Sequence, residues 1–144
     1  KPEITNVQVE SDDQGTLQAN ASISVEGTVY AVALPAYKQA PSSVQIRDGL
    51  DSNNLKVPRY SHQKVKYGEP AQLNFTGLPV HAEFVLYLTA ENALPGNPQL
   101  IEDEFTKEVG FVVGTQLDTS FHFEFENLNH AYLLCLGLLL LTLT

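Results

Sequence analysis

The stretch Leu17-Gln18-Ala19-Asn20-Ala21-Ser22-Ile23-Ser24-Val25-Glu26-Gly27 decides the fold. Leu17, Ala19, Ala21, Ile23 and Val25 recur at every second position, and Gln18, Asn20, Ser22, Ser24 and Glu26 fill the gaps. Successive side chains of an extended chain leave opposite faces, so this run has one face suited to a core and one suited to water. Gly27 breaks it. Thr28 to Leu34 then gives a second strand, more fully apolar, that stops at Pro35.

The same signal recurs outward in both directions, in short runs separated by Gly, Pro and Asn. Upstream, residues 3–11 carry Ile4, Val7 and Val9 before the polar turn Ser11-Asp12-Asp13-Gln14-Gly15. Downstream, Pro41-Ser42-Ser43-Val44-Gln45-Ile46 reads as a short helix, with Pro41 preset for the first turn and Ser42 or Ser43 as its cap. Asp48-Gly49 and Asp51-Ser52-Asn53-Asn54 are turn chemistry, and residues 57–67 read as an edge strand guarded by Pro58 and charges. Ala71, Leu73 and Phe75 alternate with polar residues. Phe84, Leu86, Leu88 and Ala90 share a face within His81–Asn92, and a loop follows at Ala93-Leu94-Pro95-Gly96-Asn97-Pro98. Phe105, Lys107, Val109, Phe111 and Val113 complete about seven strands by Gly114, and two packed sheets are the economical way to bury them. The expected class is therefore all-β, a single sandwich with one short helical insert.

Composition narrows the function classes. The formal net charge is −9, with only eight Lys and Arg in 144 residues. Nucleic-acid binding needs a concentrated basic surface, which this chain lacks, and an anionic membrane face would repel it. The chain contains no Met and opens at Lys1, which fits a mature form whose leader has been removed. Its single cysteine, Cys135, excludes an intrachain disulfide. Asn20-Ala21-Ser22 and Asn74-Phe75-Thr76 both match the acceptor rule for N-linked glycans. Each asparagine falls on the polar side of its strand, where a glycan needs to be.

Gly77-Leu78-Pro79, the aromatic Phe84 six steps after Leu78, and the alternation Leu86, Leu88, Ala90 closing on Glu91-Asn92 resemble the fibronectin type III family. Gly27-Thr28-Val29-Tyr30-Ala31-Val32-Ala33-Leu34-Pro35, with Ala40 to Ile46 and Gly49 behind it, is similar to fibronectin-like repeats of microbial and protist surface proteins. The chain departs from the family by having no Trp, and Phe84 lacks the hydroxyl of a tyrosine corner. The resemblance covers residues 1–115. It implies an immunoglobulin-like or fibronectin-like sandwich at a cell surface, used for adhesion, spacing or assembly, without catalysis.

Residues 116–144 exceed what such a sandwich needs. Phe121, Phe123 and Phe125 alternate with His122, Glu124 and Glu126, the pattern of an added strand. Ala131 to Thr144 then carries Tyr132, Leu133, Leu134, Leu136, Leu138, Leu139, Leu140, Leu141 and Leu143. Three readings stay open. A membrane-spanning helix needs about 30 Å, and these residues as a helix reach roughly 21 Å. A removable glycolipid-anchor signal would use the small residues at Asp118-Thr119-Ser120, although the spacer is aromatic. A retained tail needs dry protein surface, either on its own domain or on a neighbour, because leaving its apolar side chains in water costs about 15–30 kcal/mol. A strand given to another copy's sheet adds main-chain hydrogen bonds, and repeated head to tail it makes a fibre. The leading expectation is an extracellular homopolymer subunit joined by strand or tail exchange. The alternative is a cell-surface adhesion module, with membrane contact only if the tail is an anchor.

No catalytic, metal or cofactor set emerges. His62, His81, His122 and His130 lack ligand spacing, and adjacency of Ser61 and His62 does not make a nucleophile–base pair. Asp51-Ser52-Asn53-Asn54 lacks a calcium loop's later Glu, and Cys135 reads as a small apolar side chain.

Overall fold

Seven strands form within residues 2–114, the part of the chain that the computed structural model describes: β1 (Ile4–Ser11), β2 (Leu17–Ile23), β3 (Gly27–Pro35), β4 (Tyr60–Val65), β5 (Ala71–Phe75), β6 (Glu83–Asn92) and β7 (Lys107–Val112). They make two antiparallel sheets, ordered β1-β2-β5 and β4-β3-β6-β7. The fold is an all-β sandwich, as the period-two alternation requires. The added C-terminal strand and apolar tail expected over 116–144 lie outside the described residues.

The alternation does the sorting. Leu17, Ala19, Ala21 and Ile23 of β2 face Val29, Ala31 and Ala33 of β3 and Leu86, Leu88 and Ala90 of β6 in one cluster, with Leu73 and Phe75 of β5 beside them. Leu17, Leu73, Leu86 and Leu88 are completely buried. The two centres of the sandwich are β2, paired Leu17↔Phe75 through Ala21↔Ala71 with β5, and β3, paired in unbroken register with β6 from Gly27↔Asn92 to Pro35↔Phe84.

The apolar excess of β3 has its own cause. Its alternate residues Val32 and Leu34 point away from the sandwich interior, yet they are buried with Ile46, Val57 and Tyr87 in a second cluster. Helix α1 (Ser43–Arg47) lies over this outer face and packs on β3 and β6. A strand covered on both faces reads as a continuous apolar run, because neither face is left to water. Ser42 caps the helix: its Oγ accepts from the Gln45 backbone N–H at 3.2 Å, and Gln45 Oε1 accepts from the Ser42 N–H at 2.8 Å. This reciprocal pair satisfies two of the donors that a helix start leaves orphaned.

Three local expectations are corrected. Pro41 stands one residue before the cap rather than in the first turn, because Ser42 has extended backbone geometry and begins the helix. Phe105 falls in the 3-10 turn Asp103–Phe105 and is 57% exposed, because Thr106 caps that turn and β7 starts only at Lys107. Val25 lies past the end of β2 and is half-buried, since the chain bends at Ser24 to reach the other sheet.

Candidate functional site

The outer face of the β4-β3-β6-β7 sheet carries the densest polar and aromatic chemistry among the described residues. The segment between β3 and β4 builds it. Asp51 is buried, and its Oδ1 accepts from the backbone N–H groups of Asn53 at 2.8 Å and Leu55 at 3.0 Å. Asn54 Oδ1 accepts from Gln45 Nε2 at 2.9 Å. Asp51 Oδ1 and Asn54 Oδ1 are therefore spent closing this turn and tying it to α1, an Asx arrangement. Below the helix, Ser43 Oγ and Thr89 Oγ1 share a hydrogen bond in full burial, and Asp103 Oδ1 accepts from the Ser43 N–H at 2.8 Å. Ser42, Gln45, Ser52, Asp103 and Thr106 rim an open polar depression beside α1.

Next to the helix, His62 lies 5.9 Å from the Tyr30 ring and 5.6 Å from the Tyr60 ring, centre to centre. Tyr60 donates its hydroxyl to the Arg47 carbonyl at 2.6 Å. Arg47 faces Asp48 at 3.0 Å and Glu91 at 3.6 Å. Its guanidinium is pushed further above its usual range, first by the hydrogen bond to Asp48. Burial raises the Tyr30, Tyr60 and Tyr87 phenols above 10, with Glu91 adding at Tyr30 and Glu108 at Tyr87.

A raised phenol pKa means that the folded state holds its proton more tightly than the unfolded chain does. Stability is then fully present below pH of about 10 and falls as pH climbs from there through the folded-state values. A melting series across that range, with phenolate absorbance followed in parallel, is expected to show Tm dropping as these tyrosines ionise. Tyr60→Phe is expected to reduce the slope. A melting temperature that stays flat through tyrosine ionisation contradicts this assignment.

The residues singled out in the sequence distribute as follows. Asn74 is exposed on the outer face of β5, an edge strand. Asn20 is on the corresponding face of β2 but half-buried between Gln8 and Gln72, and its Oδ1 is covered with no hydrogen-bond partner. Ser61 and His62 are neighbours on the edge strand β4; their side chains leave opposite faces, so they do not meet as nucleophile and base. His81 is in a turn with φ 70°. The tail residues Tyr132, Leu133, Leu134, Leu136, Leu138, Leu139, Leu140, Leu141 and Leu143, with His122, His130 and Cys135, lie outside the described residues. Among the described residues no three His, Cys, Asp or Glu side chains converge to hold a metal ion.

Two features escaped sequence reading. One is the Ser43–Thr89 pair, whose members are 46 residues apart. The other is Arg59, whose guanidinium lies 5.3 Å over the Phe84 ring and donates from Nη2 to the Gly77 carbonyl at 2.8 Å. Arg59 thus occupies the aromatic at the end of the Leu78-to-Phe84 step, and nothing in its local pattern signals that. No family model matches the chain, and no curated protein or solved structure matches it either.

Proposed function

We propose that this chain is a non-enzymatic extracellular protein of fibronectin type III-like build, the subunit of a surface filament whose copies join by exchange of strand or tail. The strand order supports the fibronectin-like assignment. Here β4 sits beside β3 in the second sheet, whereas in a constant-type immunoglobulin domain the fourth strand stays with the first sheet. Leu78 and Phe84, which frame the resemblance, are both buried in the main core.

One observation carries the assembly reading. The sandwich fills its interior from its own strands and covers its second apolar face with α1, while the chain holds a further leucine-dense stretch at 131–144. That stretch needs apolar surface, and another copy supplies it. N-linked glycans at Asn74 and Asn20 belong with the same extracellular location; Asn74 is the better exposed of the two. The experiment is sedimentation of the full chain over a range of concentrations without detergent, with micrographs of the same samples. Polymers are expected for the full chain, with shorter ones for Leu138→Asp and Leu140→Asp. A full chain that stays at single-chain mass throughout refutes the assembly reading.

A second reading has a specific observation behind it. Tyr37 is 84% and Leu55 62% exposed on the segment that carries α1. Large apolar side chains held in water by an ordered loop suit an adhesion module, with the ligand bound at that end.

A further inference from the structure

We infer that the outer edge of β7 is the acceptor for strand exchange, and that it takes the alternating segment 121–125 of a second copy. This rests on the assembly reading above and names the two surfaces that meet.

A sheet edge accepts a strand only where its main-chain groups point outward without partners. His81 N–H donates to the Val113 carbonyl at 2.9 Å, and Val113 N–H donates to the Ala82 carbonyl at 3.0 Å. Antiparallel pairing alternates, so the odd-numbered residues of β7 turn their main chain towards β6, and Glu108, Gly110 and Val112 turn theirs outward. Val112 is already engaged, because its carbonyl accepts from Ser11 Oγ at 3.4 Å. Among the described residues, Glu108 and Gly110 are left with their main-chain groups facing outward. A Cβ built on Gly110 meets nothing of the described residues within 4 Å, so no neighbouring side chain crowds the sheet face beside that edge.

The other edges are protected. β1 is broken by a bulge between Thr5 and Gln8, with Asn6 at φ 52°. β4 and β5 lie against each other, and Gln63 Oε1 accepts from the Gln72 N–H. β4 also exposes His62, Gln63 and Lys64, which guard it further.

The side chains at the β7 edge say what kind of strand fits. Val109 and Phe111 pair with the buried Leu86 and Phe84 and are only half-buried themselves, as are Val7 and Val9 across the margin on β1. An incoming strand must be apolar towards this row and polar towards water. Phe121, Phe123 and Phe125, alternating with His122, Glu124 and Glu126, have that two-sided character. The Leu-dense stretch 131–144 does not. Five extended residues span roughly 17 Å, the same length as Lys107 to Phe111.

The test uses full-length chains with Cys135→Ser, so that introduced thiols are the only ones. One preparation carries Gly110→Cys. Others carry His122→Cys or Glu124→Cys, which span both facing alignments. Mixed and oxidised, they are expected to give a disulfide joining two chains, with about tenfold less product when Lys64→Cys on β4 replaces Gly110→Cys. Phe123→Asp is expected to weaken assembly about tenfold. Chains that polymerise without this cross-link, or whose assembly is unchanged by Phe123→Asp, overturn the β7 acceptor and leave the assembly reading standing. A chain with both thiols that closes on itself, and never joins two chains, shows the segment on its own β7 and overturns the exchange. Failure of the unsubstituted full chain to assemble counts against the assembly reading itself.

Discussion

Gly27→Ala is expected to lower stability by about 3–4 kcal/mol and Tm by roughly 10–15 °C. The reason is steric and sits in the main chain. A Cβ at residue 27 would lie 2.1 Å from the Glu91 carbonyl oxygen and 2.9 Å from the Asn92 Cα. Neither can step aside. Both belong to β6, which is held in unbroken register with β3 as far as Pro35↔Phe84, and on their other side Glu91 bridges to Leu100 and Asn92 N–H donates to the Gln99 carbonyl. Four other glycines separate the possible causes. Gly15→Ala combines a left-handed φ of +75° with a Cβ 2.3 Å from the Leu78 carbonyl oxygen, so it is expected to match Gly27→Ala. Gly68 and Gly96 have φ of +84° and +80° with open space around them; alanine there is expected to cost only about 1 kcal/mol. Gly110→Ala has neither penalty and is expected to be near neutral. Thermal melts of the five variants check the series. If Gly27→Ala melts no lower than Gly110→Ala, the close approach of β3 and β6 is wrong.

The sandwich was legible because most of its strands have one wet face. Leu17 to Ile23, Ala71 to Phe75 and Glu83 to Asn92 each announce burial by alternation, and each is a strand. What alternation cannot say is which strand lies beside which. Pairing of β3 with β4 rather than β5 with β4 is set by contacts between residues far apart in the chain, and no local pattern encodes them. The Thr28 to Leu34 run did carry a clue to the third layer. It is apolar on both faces, and the cover it demands is supplied by α1 through Ile46. The helix itself was legible from Pro41 and a capping serine at Ser42 or Ser43; the structure settles on Ser42 and adds the return bond from Gln45. The polar face around it was not: Ser43 meets Thr89, Tyr60 meets the Arg47 carbonyl and Arg59 meets Phe84 only after the sheets have formed. Phe105 misled because it falls in the same two-residue period as Val109, Phe111 and Val113, although the backbone turns there before β7 begins.

The two apolar clusters predict two different ways of failing. Leu88 is completely buried in the main core, between the sheets, and pairs with Ala31 and Lys107. Leu88→Ala removes its methyl groups from a site whose neighbours are fixed by strand pairing on both sides, so the cavity persists and the cost is about 3–5 kcal/mol. Ile46 is just as buried, but its neighbours are Val32, Leu34, Val57 and Tyr87 on the outer face, and its helix has only five residues. A helix that short holds its place by packing rather than by its own hydrogen bonds. Ile46→Ala is therefore expected to release α1 before the sheets yield, at about 2–3 kcal/mol, and to break the Ser43–Thr89 hydrogen bond as the helix leaves. Amide exchange separates the two outcomes. Leu88→Ala should speed exchange throughout β2, β3 and β6 together, in step with a lower Tm. Ile46→Ala should speed it first at Asp48, Gly49 and Leu50, whose N–H groups bond to α1 carbonyls. If both variants accelerate the same amides equally, the helix is part of a single cooperative core, and the outer layer is no separate unit.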